Sequence, residues 1–121
     1  MLVRLACCVV LVAAALGAVS ARADCAQEVS RLMSKDTEKL ATRFQRVSRR
    51  IEQQGRSASL TAEECRIARQ LGPQLEDQIA ALKQSDCTKD PSVRAMIADI
   101  VRGHEDDLVA LRKTAARAEC R

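Results

Sequence analysis

The chain is almost without aromatic rings. Among its 121 residues there is one phenylalanine, Phe44, and no tyrosine or tryptophan. Base-stacking platforms, sugar-stacking sites and aromatic cages are built from such rings. Single-stranded nucleic acid, carbohydrate and quaternary-amine ligands are therefore not expected, and no nucleic-acid partner is assigned. Histidine is scarce as well: His104 alone would have to serve any catalytic triad. No nucleophile elbow, phosphate-binding loop or metal-hydrolase motif accompanies it. No C-x-x-C, haem-type C-x-x-C-H or clustered Cys/His spacing is present either, which leaves redox catalysis and zinc without their usual signatures. Alternating apolar and polar runs, low-complexity tracts and internal repeats are missing, so strands and repeat architectures are not expected.

What is there begins with a leader. Arg4 makes a short basic start, Leu5 to Val19 is almost wholly apolar, and Ala21-Arg22-Ala23 is an A-x-A cleavage site. This is the pattern of a secretory signal peptide, residues 1–23, cleaved after Ala23. Its apolar run falls short of the roughly 20 residues that span a bilayer. A lipid-attached cysteine needs a small residue before it; Cys25 follows Asp24 and does not qualify. Cys7 and Cys8 leave with the leader. Residues 24–121 then form one domain, periplasmic or secreted, with no membrane-spanning segment after cleavage. The leader holds Arg4 and Arg22 and no acid, so 18 basic residues face 16 acidic ones in the remainder. That near balance makes the sequence pI of about 8.9 no nucleic-acid signature.

Three helices are expected. The first opens at Asp24 and carries Val29, Met33, Leu40, Phe44, Val47 and Ile51 on one stripe, with Asp36 filling the gap and Gly55 ending it. The second opens at Thr61, where Thr61-Ala62-Glu63-Glu64 matches a capping box. Its stripe runs through Cys65, Ala68, Gly72, Leu75, Ile79 and Leu82. Gly72-Pro73 lies inside it, and proline removes a donor and crowds the preceding turn, so this helix is expected to be kinked or split there. The third opens at Asp90-Pro91, an N-cap followed by proline at the first helical position. It runs through Val93, Ile97, Ile100, His104, Leu108, Leu111, Ala115 and Ala118. Short connections make neighbours antiparallel. The expected fold is all-α, a small up-down-up three-helix bundle.

Four cysteines remain, Cys25, Cys65, Cys87 and Cys120, and allow three pairings. At about 1.5 Å per residue, Cys25 lies roughly 40 Å from the far end of the first helix. Cys65 and Cys120 belong to that far end, and Cys87 returns to the near one. Bridged Cα atoms lie about 4.4–6.8 Å apart, so Cys25–Cys87 and Cys65–Cys120 are the expected disulfides. Each staple closes a long loop, worth about 4 kcal/mol in the chain-entropy account.

Candidate sites are few. Arg43, Arg46 and Arg50 recur at helical spacing, joined by Arg49 and Arg56. Guanidinium groups grip phosphate and carboxylate bidentately, so this basic surface is the candidate for an anionic surface or an acidic partner. Cations near a helix C-terminus also answer the helix dipole, which is the plainer account of the same run. Asp36 and His104 both fall on apolar stripes at similar heights, a candidate polar switch in which a carboxylate would favour the charged imidazole. Met33, Met96 and His104 carry donor atoms that suit copper as soft ligands, but methionines are common core filler. Glu105, Asp106 and Asp107 point in different directions on a helix and cannot make one cage. No resident metal and no cofactor is assigned, and the oligomeric state is left open. The expected role is non-catalytic: an exported helical protein that binds or stabilises another cell-envelope component, either a protein or an anionic surface. The alternatives are a periplasmic stress or sensor protein responding to pH or metal, and a small enzyme inhibitor or enzyme.

Overall fold

The first expected helix is interrupted, and the reason lies in the spacing of the residues that turn inward. The computed structural model of the chain describes residues 24–121; the leader assigned to residues 1–23, with Cys7 and Cys8, lies outside them. Helix α1 spans 24–32 and α2 spans Lys35–Gln54. Inward positions are Cys25, Val29 and Leu32, then Thr37, Leu40, Phe44, Val47 and Ile51. The step from Leu32 to Thr37 is five residues, which one straight helix cannot keep on a single face. The two-residue break at Met33 and Ser34 absorbs the misfit. Met33 and Asp36, expected inside, are consequently exposed. The break is tied down by the Ser34 backbone N–H, which donates to Gln78 Oε1 at 3.0 Å. On α1, Arg31 donates to Glu28 at 3.0 and 2.8 Å, and that pairing holds the Glu28 carboxyl below the usual carboxylate range.

Gly55 ends α2 with φ at +83°, in the left-handed region that favours glycine, and its N–H donates to Ile51 O at 2.9 Å. Helix α3 spans Ala58–Gln84. It starts a turn before the expected Thr61, because Ser57 supplies the cap: its hydroxyl accepts from Leu60 N at 3.2 Å. Thr61 is buried inside the helix, and its N–H donates to Ser57 O. Helix α3 continues as one helix across Gly72 and Pro73. A 3-10 turn, Asp86–Lys89, carries Cys87. Helix α4, Pro91–Ala116, begins where the sequence places it, with Asp90 Oδ1 accepting from Ser92 N at 3.0 Å and Ser92 Oγ at 2.7 Å. A second 3-10 turn, Ala118–Cys120, follows. Among the described residues there are four α-helices and no strand.

The central element is α3. Ser34 meets Gln78, Thr37 Oγ1 donates to Gln74 Oε1 at 3.0 Å, and Arg43 reaches Glu63 at 3.4 Å, so α2 runs antiparallel to α3. Gln78 meets His104, Arg112 donates to Glu76 at 2.7 Å, and Arg117 reaches Glu64 at 3.1 Å, so α4 is antiparallel to it as well. Both neighbours pack on α3, yet no Cα of α2 comes within 8 Å of a Cα of α4. The most enclosed side chains, Ile67 and Leu82, both belong to α3; full burial of such a side chain contributes about 1.5–3 kcal/mol. Cys25 is bonded to Cys87 and Cys65 to Cys120, with Cα separations of 5.5 and 5.3 Å. No helix among the described residues is long and apolar enough to cross a membrane.

Candidate functional site

Because α2 and α4 stand apart, a groove of about 270 Å³ opens between them with α3 as its floor. Ala41 and Phe44 form the apolar part of the α2 wall, Ala110 and Leu111 that of the α4 wall, and Leu71 and Leu75 the floor. Met33, 37% exposed, closes one end. The volume lies near the lower end of small-molecule sites, which run roughly 300–1,000 Å³. Polar groups enter at few points: Ser34, Thr37, Glu38 and Gln45 from the α2 side, Gln78 from the floor, His104 and Asp107 from α4. No lysine or arginine lines it.

His104 is half-buried at this groove, and its Nε2 lies 2.7 Å from Gln78 Nε2. Gln78 Oε1 already accepts from the Ser34 N–H, so the amide Nε2 donates here and the ring nitrogen accepts. Asp36 stands elsewhere, exposed in a shallow depression with Gln74, Asp77 and Gln78. The structure gives His104 and Asp36 no hydrogen bond to each other; Gln78 is the group beside the imidazole. Met33 shares the groove with His104, while Met96 is an exposed residue of α4 and is not among the groove's lining. Among the described residues no three His, Cys, Asp or Glu side chains are placed to hold a metal ion.

The five candidate arginines divide. Arg43 pairs with Glu63 at 3.4 Å. Arg56 is held by Glu64, whose carboxylate is only 6% exposed and accepts from Arg56 and Arg117, each at 3.1 Å. That carboxylate was expected to serve the capping box; instead it joins the α2–α3 connection to the segment after α4. Arg46, Arg49 and Arg50 are exposed and make no ion pair among the described residues. Three further arginines, Arg66, Arg69 and Arg121, line a shallow depression beside the Cys65–Cys120 bridge, together with Gln70 and Glu119.

These cations belong to a lengthwise segregation of charge. Residues 43–70 and 110–121, the half holding the Cys65–Cys120 bridge, carry 11 Lys and Arg against 4 Asp and Glu. Residues 24–42 and 71–109, the other half, carry 7 against 12. The near-neutral total conceals a basic end and an acidic end.

Comparison with protein-family models, with curated proteins and with solved structures finds no match. Function must therefore be argued from these surfaces. Sequence reasoning marked Arg43, Arg46 and Arg50 through their helical spacing and joined Arg49 and Arg56 to them. It missed Arg66 and Arg69, whose i, i+3 spacing on an exposed face was the available signal. It missed the groove as well, because a gap between two helices depends on how both sit on a third.

Proposed function

We propose that this is an exported, non-catalytic binding protein, periplasmic or secreted, that docks its basic end on an anionic component of the cell envelope. The observation that carries the reading is the segregation of charge, with Arg46, Arg49 and Arg50 free of acidic partners among the described residues and Arg66, Arg69 and Arg121 gathered at the same end. A charge-segregated molecule approaches an anionic surface in a preferred orientation, and each cation near such a surface is worth about 1 kcal/mol. The disulfides and the absence of a spanning helix among the described residues are compatible with an oxidising compartment outside the cytoplasm. The reading takes the three long helices as an up-down-up bundle with α3 kinked at Gly72-Pro73. Pro73 offers no N–H to the Arg69 carbonyl, and Pro73 is exposed, so a bend there would be convex toward solvent. The pH- or metal-sensing alternative has no comparable support, since the group beside His104 is Gln78.

The test is cosedimentation of the disulfide-bonded protein with phosphatidylglycerol or phosphatidylcholine vesicles. Binding to the anionic vesicles alone is expected, weakening as salt rises. The triple reversal Arg46→Glu, Arg49→Glu, Arg50→Glu should lower it about 100-fold or more, from roughly 1 kcal/mol per cation. Equal binding to both vesicle types, or a reversal variant that binds like the parent, rules the reading out.

A further inference from the structure

The groove lies mid-molecule, straddling the boundary between the basic and acidic halves, and has a chemistry of its own. Its floor and inner walls are apolar, through Phe44, Leu71, Leu75 and Leu111. Its two carboxylates come from opposite walls, Glu38 from α2 and Asp107 from α4. Both are exposed residues, and neither makes an ion pair among the described residues. No cationic Lys or Arg side chain lines the groove to answer them. Both carboxylates also belong to the half of the molecule in which acids outnumber bases by 12 to 7. An occupant that leaves its apolar part on the floor and a positive charge at the rim would satisfy both features, whereas an acid would meet repulsion from two sides. The small volume suits one slender chain; a helix, about 10–12 Å across with side chains, is far wider.

We propose that this groove is a binding site for a hydrophobic amine, with an apolar chain lying over Leu71 and Leu75 and a protonated ammonium held by Glu38 and Asp107. A primary ammonium is charged at neutral pH, since such groups lose their proton only near pH 10.4. The site would select by charge as well as by hydrophobicity. It is independent of the anionic-surface reading, because none of the arginines assigned there lines the groove.

The chain provides its own reporters. Phe44 and His104 are the only phenylalanine and the only histidine, and they line opposite walls of the groove. Their ring proton signals can be followed by NMR during titration with decylammonium, decanol and decanoate. Saturable shifts of both rings are expected with decylammonium, at least about fivefold weaker affinity with decanol, and no saturation with decanoate at the same concentrations. The Glu38→Gln, Asp107→Asn double variant should bind decylammonium no better than decanol while leaving decanol affinity unchanged. Ala110→Trp, at an exposed wall position, should weaken both ligands. The proposal is overturned if decanoate binds as well as decylammonium, or if the double variant keeps the preference for the amine. It is also overturned if the two ring signals shift on diluting the ligand-free protein, which would mean that a second copy occupies the groove.

Discussion

Glu64 presents one nearly buried carboxylate oxygen to two guanidiniums. The side chains of Arg56 and Arg117 are 36% and 44% exposed, so each can return to water when its partner is lost. The carboxylate cannot, and an unpaired buried charge is costly. Replacing Arg56 or Arg117 alone by alanine should therefore cost only about 0.5–1 kcal/mol, because the other cation remains. Replacing both should cost more than the sum, about 3 kcal/mol or more. Urea unfolding of the two single variants and the double variant measures this, and strict additivity would show that Glu64 does not depend on shared compensation. In the sequence, Arg56 looked like one more member of a basic run. The spacing 43, 46, 50 marks a helix face, but it says nothing of an acid eight residues ahead that folds back on Arg56. Asp36 misled in the complementary way: counted along an unbroken helix it falls inside, and the break at Met33 and Ser34 turns it to solvent.

Helix signals with a chemical mechanism were the ones most legible in the chain. Asp90-Pro91 starts α4 because a carboxylate cap and a residue without an N–H both suit a first turn, and Gly55 ends α2 because its positive φ suits glycine. The α3 start was displaced because Ser57 and Thr61 both offer capping hydroxyls one turn apart, and the short connection after Gly55 lets the earlier one act. Within α4, Gly103 is helical and exposed, and a Cβ added there meets no atom beyond its own helix backbone within 4 Å. Glycine inside a helix is disfavoured against alanine by roughly 0.8–1.0 kcal/mol. Gly103→Ala should therefore stabilise the protein by about 1 kcal/mol, read as a higher midpoint in urea with an unchanged slope, and an unchanged or lower midpoint would contradict it. Gly72 differs because Pro73 follows it, and the proline ring crowds a Cβ on a helical residue before it.

At the scale of the molecule, the disulfide pairing follows from helix lengths alone, since only like ends can meet. The charge segregation does not follow until the helices are laid antiparallel, which brings the basic stretches of α2, α3 and α4 to the same end. The two bridges close loops with separations of 62 and 55 residues. Opening the second with Cys65→Ala and Cys120→Ala should lower stability by about 4 kcal/mol, a large share of the roughly 5–15 kcal/mol typical of a domain. Extrapolated urea unfolding measures it, and a loss below about 1 kcal/mol would contradict restriction of the unfolded chain as the source of the stability. The same change frees Arg121 from its place beside Arg66 and Arg69, so binding to anionic vesicles should weaken along with stability.

The loops these bridges close overlap, since one runs from 25 to 87 and the other from 65 to 120. Every peptide bond between Cys25 and Cys120 therefore lies inside at least one covalent ring. A protease that cuts once anywhere in that span, at the exposed Gly55-Arg56 connection for example, releases no fragment. The pieces stay joined by sulfur, and the noncovalent packing can draw the cut ends back together. Two bonds thus guard nearly the whole described chain against a single nick, which two rings set side by side would do only within each ring.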